Sequence, residues 1–240
     1  MELWPAIDLR GGRCVRLLQG DYDRETVFGE DPVAMAREFV AQGARRLHIV
    51  DLDGAKAGAP VQADLVGRMV QAAGVPCQLG GGIRSRDTAA AYLAAGVQRV
   101  VLGSIAIERP ELLDALATEF PGRIVLGLDA RDGRVAVRGW LETSPLLAVE
   151  VAKRHAQLPL AGIVYTDIAK DGMLSGPNLD ALGGMMAAVQ LPVVASGGVS
   201  NAADIRHVAA IGAAGCIVGK ALYAGAVTLP EALAAADDRG

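Results

Sequence analysis

Two stretches of this chain repeat one another, and that repeat constrains the fold more than any single motif. Pro76–Ile107 (PCQLGGGIRSRDTAAAYLAAGVQRVVLGSIAI) aligns with Pro192–Tyr223 (PVVASGGVSNAADIRHVAAIGAAGCIVGKALY), pairing Gly81 with Gly197, Gly82 with Gly198 and Gly103 with Gly219, each 116 residues apart. Asp51 and Asp167 keep that spacing, while Asp8 and Asp129 lie 121 apart, so the first unit of the second half is the shorter. Such self-similarity marks a supersecondary unit duplicated and fused. The repeat runs roughly over 1–122 and 123–240, and the whole chain 1–240 is expected to form a single domain.

Within each half, β-branched runs alternate with helical stretches. The runs Leu3–Asp8, Arg46–Asp51, Cys77–Gly80, Arg99–Gly103, Ile124–Asp129, Gly162–Asp167, Val193–Ser196 and Cys216–Gly219 read as strands. Helices are expected over Pro32–Gln42, Val61–Ala73, Arg86–Ala95, Pro110–Glu119, Pro145–His155, Leu179–Val189, Asn201–Ile211 and near Leu229–Asp237. Asp31-Pro32, Ser144-Pro145 and Ser200-Asn201 offer N-caps, and Gly43, Gly74, Gly96 and Gly212 offer stops. Eight such units predict an α/β fold, a (β/α)8 TIM barrel made of two half-barrels. Hydrophobic residues at 52% supply the core, and aromatics at only 4% leave the packing to aliphatic side chains.

Charge narrows the function classes. The net charge of -4, mixed in sign along the chain, argues against a nucleic-acid partner. No apolar run reaches the roughly 18 residues that span a bilayer, and the start of the sequence lacks the pattern of a secretory signal. Three cysteines, Cys14, Cys77 and Cys216, are too scattered for a disulfide framework or a metal knuckle. These features predict a cytoplasmic protein with reduced thiols, no metal and no membrane contact; a monomeric state is also expected.

The strand ends carry the candidate chemistry. Gly80-Gly81-Gly82 and Gly103-Ser104 follow the third and fourth strands; Ser196-Gly197-Gly198 and Gly219-Lys220 follow the seventh and eighth. Glycines there let backbone N–H groups approach an anion, so two phosphate cradles on opposite sides of one face imply a small-molecule bisphosphate. Asp8 and Asp129 end strands one and five, opposite each other, and two carboxylates facing across a substrate can divide proton removal from proton donation. The donor then needs a raised pKa. Arg84 either supports a phosphate or forms a salt bridge. His48 reads equally as a core, surface or site histidine, whereas His155 and His207, inside helical stretches, read as solvated. Thr166 and Asp167 are adjacent on one strand and point to opposite faces. Trp140, in a glycine-containing loop, either stacks on a flat heterocycle or packs on the barrel rim. Arg16 falls in a polar segment with Gln19-Gly20-Asp21-Tyr22 that reads as a mobile loop able to close over a ligand.

The segments PAIDLRGGRCVRLLQGDY (5–22), HIVDLDGAKAG (48–58), LGGGIRS (79–85), VLGSIA (101–106), GLDARDGRVAVRGWLETS (127–144), YTDIAKDGMLSGPN (165–178), ASGGVSN (195–201) and VGKALY (218–223) resemble the histidine-biosynthesis isomerase family. These are the phosphoribosylformimino-5-aminoimidazole carboxamide ribotide isomerases, and the resemblance covers essentially the whole chain. It implies a cofactor-free Amadori rearrangement of an aminoaldose carrying a phosphate at each end. By the same resemblance, Asp8 is the general base at C2′ and Asp129 the general acid that opens the ribose ring. His48, Thr166 and Trp140 position substrate; Arg16 is a further substrate-binding candidate from its place in the polar segment. Gly81, Gly82, Gly103 and Ser104 hold one phosphate, with Arg84 a candidate beside them from its place in the chain; Ser196, Gly197, Gly198, Gly219 and Lys220 hold the other.

Two relatives share this scaffold. The cyclase subunit of imidazole glycerol phosphate synthase has both aspartates but a lysine where this chain has Arg16. Bifunctional isomerases serving both histidine and tryptophan pathways are closer, although RGWLETS resembles the dedicated enzyme. A non-catalytic phosphometabolite sensor would retain one cradle and lose an aspartate; this chain keeps both of each.

Overall fold

A computed structural model describes residues 1–238. The first half runs β1 (Glu2–Arg10), β2 (Arg13–Leu18), β3 (Asp21–Gly29), α1 (Pro32–Ala41), β4 (Leu47–Asp51), α2 (Leu52–Ala57), α3 (Ala63–Ala73) and β5 (Cys77–Gly80). It continues with α4 (Arg86–Ala94), β6 (Arg99–Leu102), α5 (Ile105–Glu108) and α6 (Pro110–Glu119). The second half runs β7 (Ile124–Arg131), β8 (Arg134–Val137), β9 (Glu142–Leu147), α7 (Ala148–His155), β10 (Gly162–Asp167) and α8 (Leu179–Ala188). It ends with β11 (Val193–Ser196), α9 (Ala202–Ala210), β12 (Gly215–Val218), α10 (Lys220–Tyr223) and α11 (Leu229–Asp237).

Eight parallel strands close a barrel in the order β1-β4-β5-β6-β7-β10-β11-β12, with β12 returning to β1. Each is followed by helix, the (β/α)8 architecture. Side chains alternate in and out along each strand. Outward residues such as Ile7, Ile49, Leu79, Leu126 and Ile163 meet the helices in one large core. Inward residues Trp4, Ala6, Val125, Val164, Val194 and Ile217 fill the barrel itself. Arg46 and Arg99 stack over the Trp4 ring and both pair with Glu2, closing the lower end.

The glycine stops fall where the sequence placed them. Gly74 caps α3 at φ 62 and donates to the Val70 carbonyl, and Gly43, Gly96 and Gly212 follow their helices at φ 103, 98 and 88. Two regions differ from expectation. The segment holding Arg16 and Gln19–Tyr22 is paired as a hairpin, β2 and β3, rather than an irregular loop. Ser144-Pro145 does not cap a helix: it lies in β9, an edge strand that tolerates proline, and α7 begins at Ala148 without a side-chain cap. His155 is also not solvated. It shares the buried face of α7 with Ala148, Val151 and Ala152, is 2% exposed, and places Nδ1 3.0 Å from Asp114 Oδ1. His207 is exposed.

The two halves share a further feature. After β1 and after β7 the chain reverses through a two-residue turn, Gly11-Gly12 at φ 55 and 79 and Asp132-Gly133 at φ 51 and 75. Positive φ at both positions is the type I′ geometry that suits the twist of a hairpin. Pairing is equivalent in the two: Leu9 with Cys14 and Arg10 with Arg13, Ala130 with Val135 and Arg131 with Arg134.

Candidate active site

The strand C-termini open into a cavity of about 220 Å³ lined by Asp8, Arg16, His48, Gly81, Gly82, Arg84, Gly103, Ser104, Asp129, Trp140 and Thr166, among others. A smaller cavity of about 30 Å³ adjoins it, lined by Ser196, Gly197, Gly198, Gly219 and Lys220. Arg16, Asp171, Ser196 and Ile217 line both. The glycine clusters end β5/β6 and β11/β12, four strands apart and so on opposite sides of the mouth.

The double glycines are required by close packing. A Cβ on Gly81, at φ 104, would stand 2.1 Å from the Asp51 carbonyl oxygen; one on Gly198, at φ 90, would stand 2.4 Å from that of Gly176. Asp51 and Asp167 shape the loops pressed against them. Asp51, fully buried, accepts from the N–H groups of Gly54, Val61 and Gln62, which is why α3 starts at Ala63 rather than Val61. Asp167 points away from Thr166, accepting from Ala169 N–H and the Asn178 amide.

Asp8 and Asp129 occupy equivalent positions on β1 and β7, but their surroundings differ. Asp8 pairs across the sheet with Val50 and forms a 2.8 Å ion pair with Arg16. Burial pushes its carboxyl up to about 6, against the opposing pull of the Arg16 guanidinium. Asp129 pairs across the sheet with Thr166. Burial raises its pKa as well, partly offset by hydrogen bonds from Thr166 and from Trp140 Nε1 at 2.8 Å. Trp140, at φ 70, therefore packs on the rim: Gly20 lies so close over its ring that a Cβ there would come within 2.3 Å. His48 is buried, its pKa held down to about 3 by desolvation and by Arg16.

The cradles carry their cations differently. Lys220 donates to the Gly172 carbonyl at 2.7 Å. Arg84 packs over Gly58 and makes no ion pair among the described residues. Ser104 Oγ accepts from Arg138 N–H at 2.8 Å.

Asp171 and Gln78 escaped the sequence reading, and Tyr22 entered it only as part of a loop. Asp171 enters from the loop after β10, 3.8 Å from Arg16, with burial raising its pKa. Tyr22 lines the cavity between Arg10 and Lys56. Gln78 hydrogen-bonds His48. Among the described residues no cluster of three or more His, Cys, Asp or Glu could hold a metal ion, and no helix is long and apolar enough to cross a membrane.

The family model described as "Histidine biosynthesis protein" matches residues 2–228. The chain is 54% identical to proteins of a Cyanothece sp. and of Synechococcus elongatus, and 52% identical to one of a Synechocystis sp.. Each comparison covers 98% of this chain and 93% of the relative. All three relatives are named 1-(5-phosphoribosyl)-5-((5-phosphoribosylamino)methylideneamino) imidazole-4-carboxamide isomerase.

Proposed function

This chain belongs to the histidine biosynthesis protein family, and from that membership we propose that it is the aldose–ketose isomerase its relatives are named for. The observation that carries the reading is a pair of carboxyls of raised pKa on opposite strands, set between two glycine cradles on opposite sides of the mouth. A bisphosphorylated aminoaldose anchored at both ends presents its reacting sugar to both aspartates.

Asp129 gives its proton to the ribose ring oxygen as the C1′–O bond breaks and the amine lone pair forms C1′=N. Asp8, mostly ionised at neutral pH with a pKa of about 6, takes the proton from C2′. The electrons move into an enolamine; return of the proton from Asp8 to C1′, with loss of the C2′ hydroxyl proton to Asp129, gives the aminoketone and restores both carboxyls. Gly81, Gly82, Arg84, Gly103 and Ser104 hold one phosphate, and Ser196, Gly197, Gly198, Gly219 and Lys220 the other. Arg16, His48, Thr166 and Trp140 orient the sugar. One chain supplies every group named here, which supports a monomer acting on a small molecule.

A second buried carboxyl faces the same cavity. Asp129 already accepts from Trp140 and Thr166, which favours its ionised form, and burial raises Asp171 too, against the opposing pull of Arg16 and Lys220. Three variants decide between them. Asp8→Asn is expected to lose about 10³-fold in kcat and all C2′ hydrogen exchange, with substrate binding retained. Asp129→Asn is expected to lose a similar factor. Near-normal kcat in Asp129→Asn together with collapse in Asp171→Asn would transfer the acid role to Asp171, and near-normal kcat in Asp8→Asn would overturn the base assignment.

A further inference from the structure

His48 and Gln78 face each other across β4 and β5, and the equivalent register in the second half, β10 and β11, pairs Val164 with Val194. Both pairs are buried. The duplicated barrel therefore offers an apolar solution at this position and uses it once. Burying an imidazole and a carboxamide in its place costs free energy unless they satisfy one another. They do: Gln78 Nε2 lies 2.9 Å from His48 Nδ1. With Gln78 Nε2 facing the ring, the amide donates and Nδ1 accepts, and a neutral ring that accepts at Nδ1 carries its proton on Nε2. His48 lines the main cavity three residues before the end of β4, below the two cradles.

We propose that Gln78 is a positioning residue that fixes His48 as the neutral Nε2–H tautomer, so that His48 offers one hydrogen-bond donor to an uncharged acceptor on the sugar between the two phosphates. This substrate assignment rests on the isomerase reading; the tautomer assignment does not. A cation here would compete with Arg16 for Asp8. Arg16 is the charged group that acts on the ring, and its guanidinium together with burial keeps the imidazole uncharged throughout the working range. The first half thus delivers a neutral donor where a lysine or an imidazolium would disturb the base.

The test is nitrogen NMR of full-length protein labelled at histidine, with the His48 signal assigned by its loss in His48→Val, alongside kinetics of Gln78→Met and Gln78→Glu. The wild-type protein is expected to show His48 as Nε2–H, without titration down to pH 5. Gln78→Glu replaces the donor by an acceptor, so His48 should become Nδ1–H or imidazolium, and kcat/KM should gain an extra ionisation near neutral pH. Gln78→Met keeps the volume and removes the donor. It should leave a mixture of tautomers and cost about tenfold in kcat/KM, an effect that a purely packing role would not couple to the tautomer. A wild-type His48 protonated on Nδ1 overturns the proposal, and this measurement stands even if a variant fails to fold. Unchanged kcat/KM in Gln78→Met overturns the donor role. If the aminoaldose is not turned over while the wild-type tautomer and the Gln78→Glu switch are as described, the isomerase reading falls and the positioning role remains.

Discussion

At the scale of single residues, duplication made Asp8 and Asp129 equivalent and their neighbours made them different. Asp8 has a cation, Arg16, where the second half has Val137; Asp129 has the neutral donors Thr166 and Trp140. A base must be ionised, so kcat/KM should fall about tenfold per unit below a pH of about 6, the value to which burial brings Asp8. Arg16 pulls that value down, so Arg16→Met should move the acid limb to higher pH. A pH–rate profile reads both effects directly, and an unmoved limb in Arg16→Met would remove Asp8 as the titrating base. The strand-end aspartates were legible in sequence because strand period and symmetry both mark them. Asp171 was not: it lies four residues beyond its strand, and its counterpart at the repeat spacing is Ala55.

At the scale of elements, the eight barrel strands were readable because each is a short aliphatic run with a helix after it. The hairpins were not, although Gly11-Gly12 and Asp132-Gly133 between alternating residues are type I′ signals. Polar Arg16 and Gln19–Tyr22 suggested a loop, yet their polarity serves pairing within the mouth. Arg10 binds Glu25 and the Tyr22 carbonyl, and Gln19 reaches the Ala169 carbonyl. The tip of this hairpin lies on Trp140 of the other one. With this contact closed the cavity is about 220 Å³, under the roughly 300–1,000 Å³ usual for ligand pockets, and parting Gly20 from Trp140 would enlarge it. Gly20→Ala tests that contact: its Cβ would strike the indole, and φ 77 disfavours a side chain. Trp140 fluorescence should shift to longer wavelength against the constant background of buried Trp4, and kcat/KM should drop by about tenfold, the worth of one hydrogen bond to Asp129. An unchanged spectrum would show that the indole does not rest beneath Gly20.

At the scale of the whole molecule, closure of the barrel puts the two cradles across one mouth, and the repeat distributes their cations unequally. The first cradle has Arg84 and Ser104; the corresponding positions of the second are Ser200 and Lys220, so each holds one cation in a different place. Their readiness differs as well. Arg84 makes no ion pair among the described residues, whereas Lys220 is engaged with the Gly172 carbonyl and lies near Asp171. On the proposed reading, a substrate with one phosphate should gain most at the Arg84 cradle and leave the Lys220 cradle empty. The histidine-pathway aminoaldose would fill both, while the tryptophan-pathway aminoaldose carries a single phosphate. Losing one charge-assisted anchor of about 1.5–3 kcal/mol costs roughly 10–100-fold, so kcat/KM should favour the bisphosphate by at least that factor. Lys220→Met should then reduce kcat/KM for the bisphosphate by a similar amount and leave the monophosphate rate within about threefold, while Arg84→Met should depress both. Equal wild-type turnover of the two substrates would mean that the second cradle does not select, and would make the chain a bifunctional isomerase.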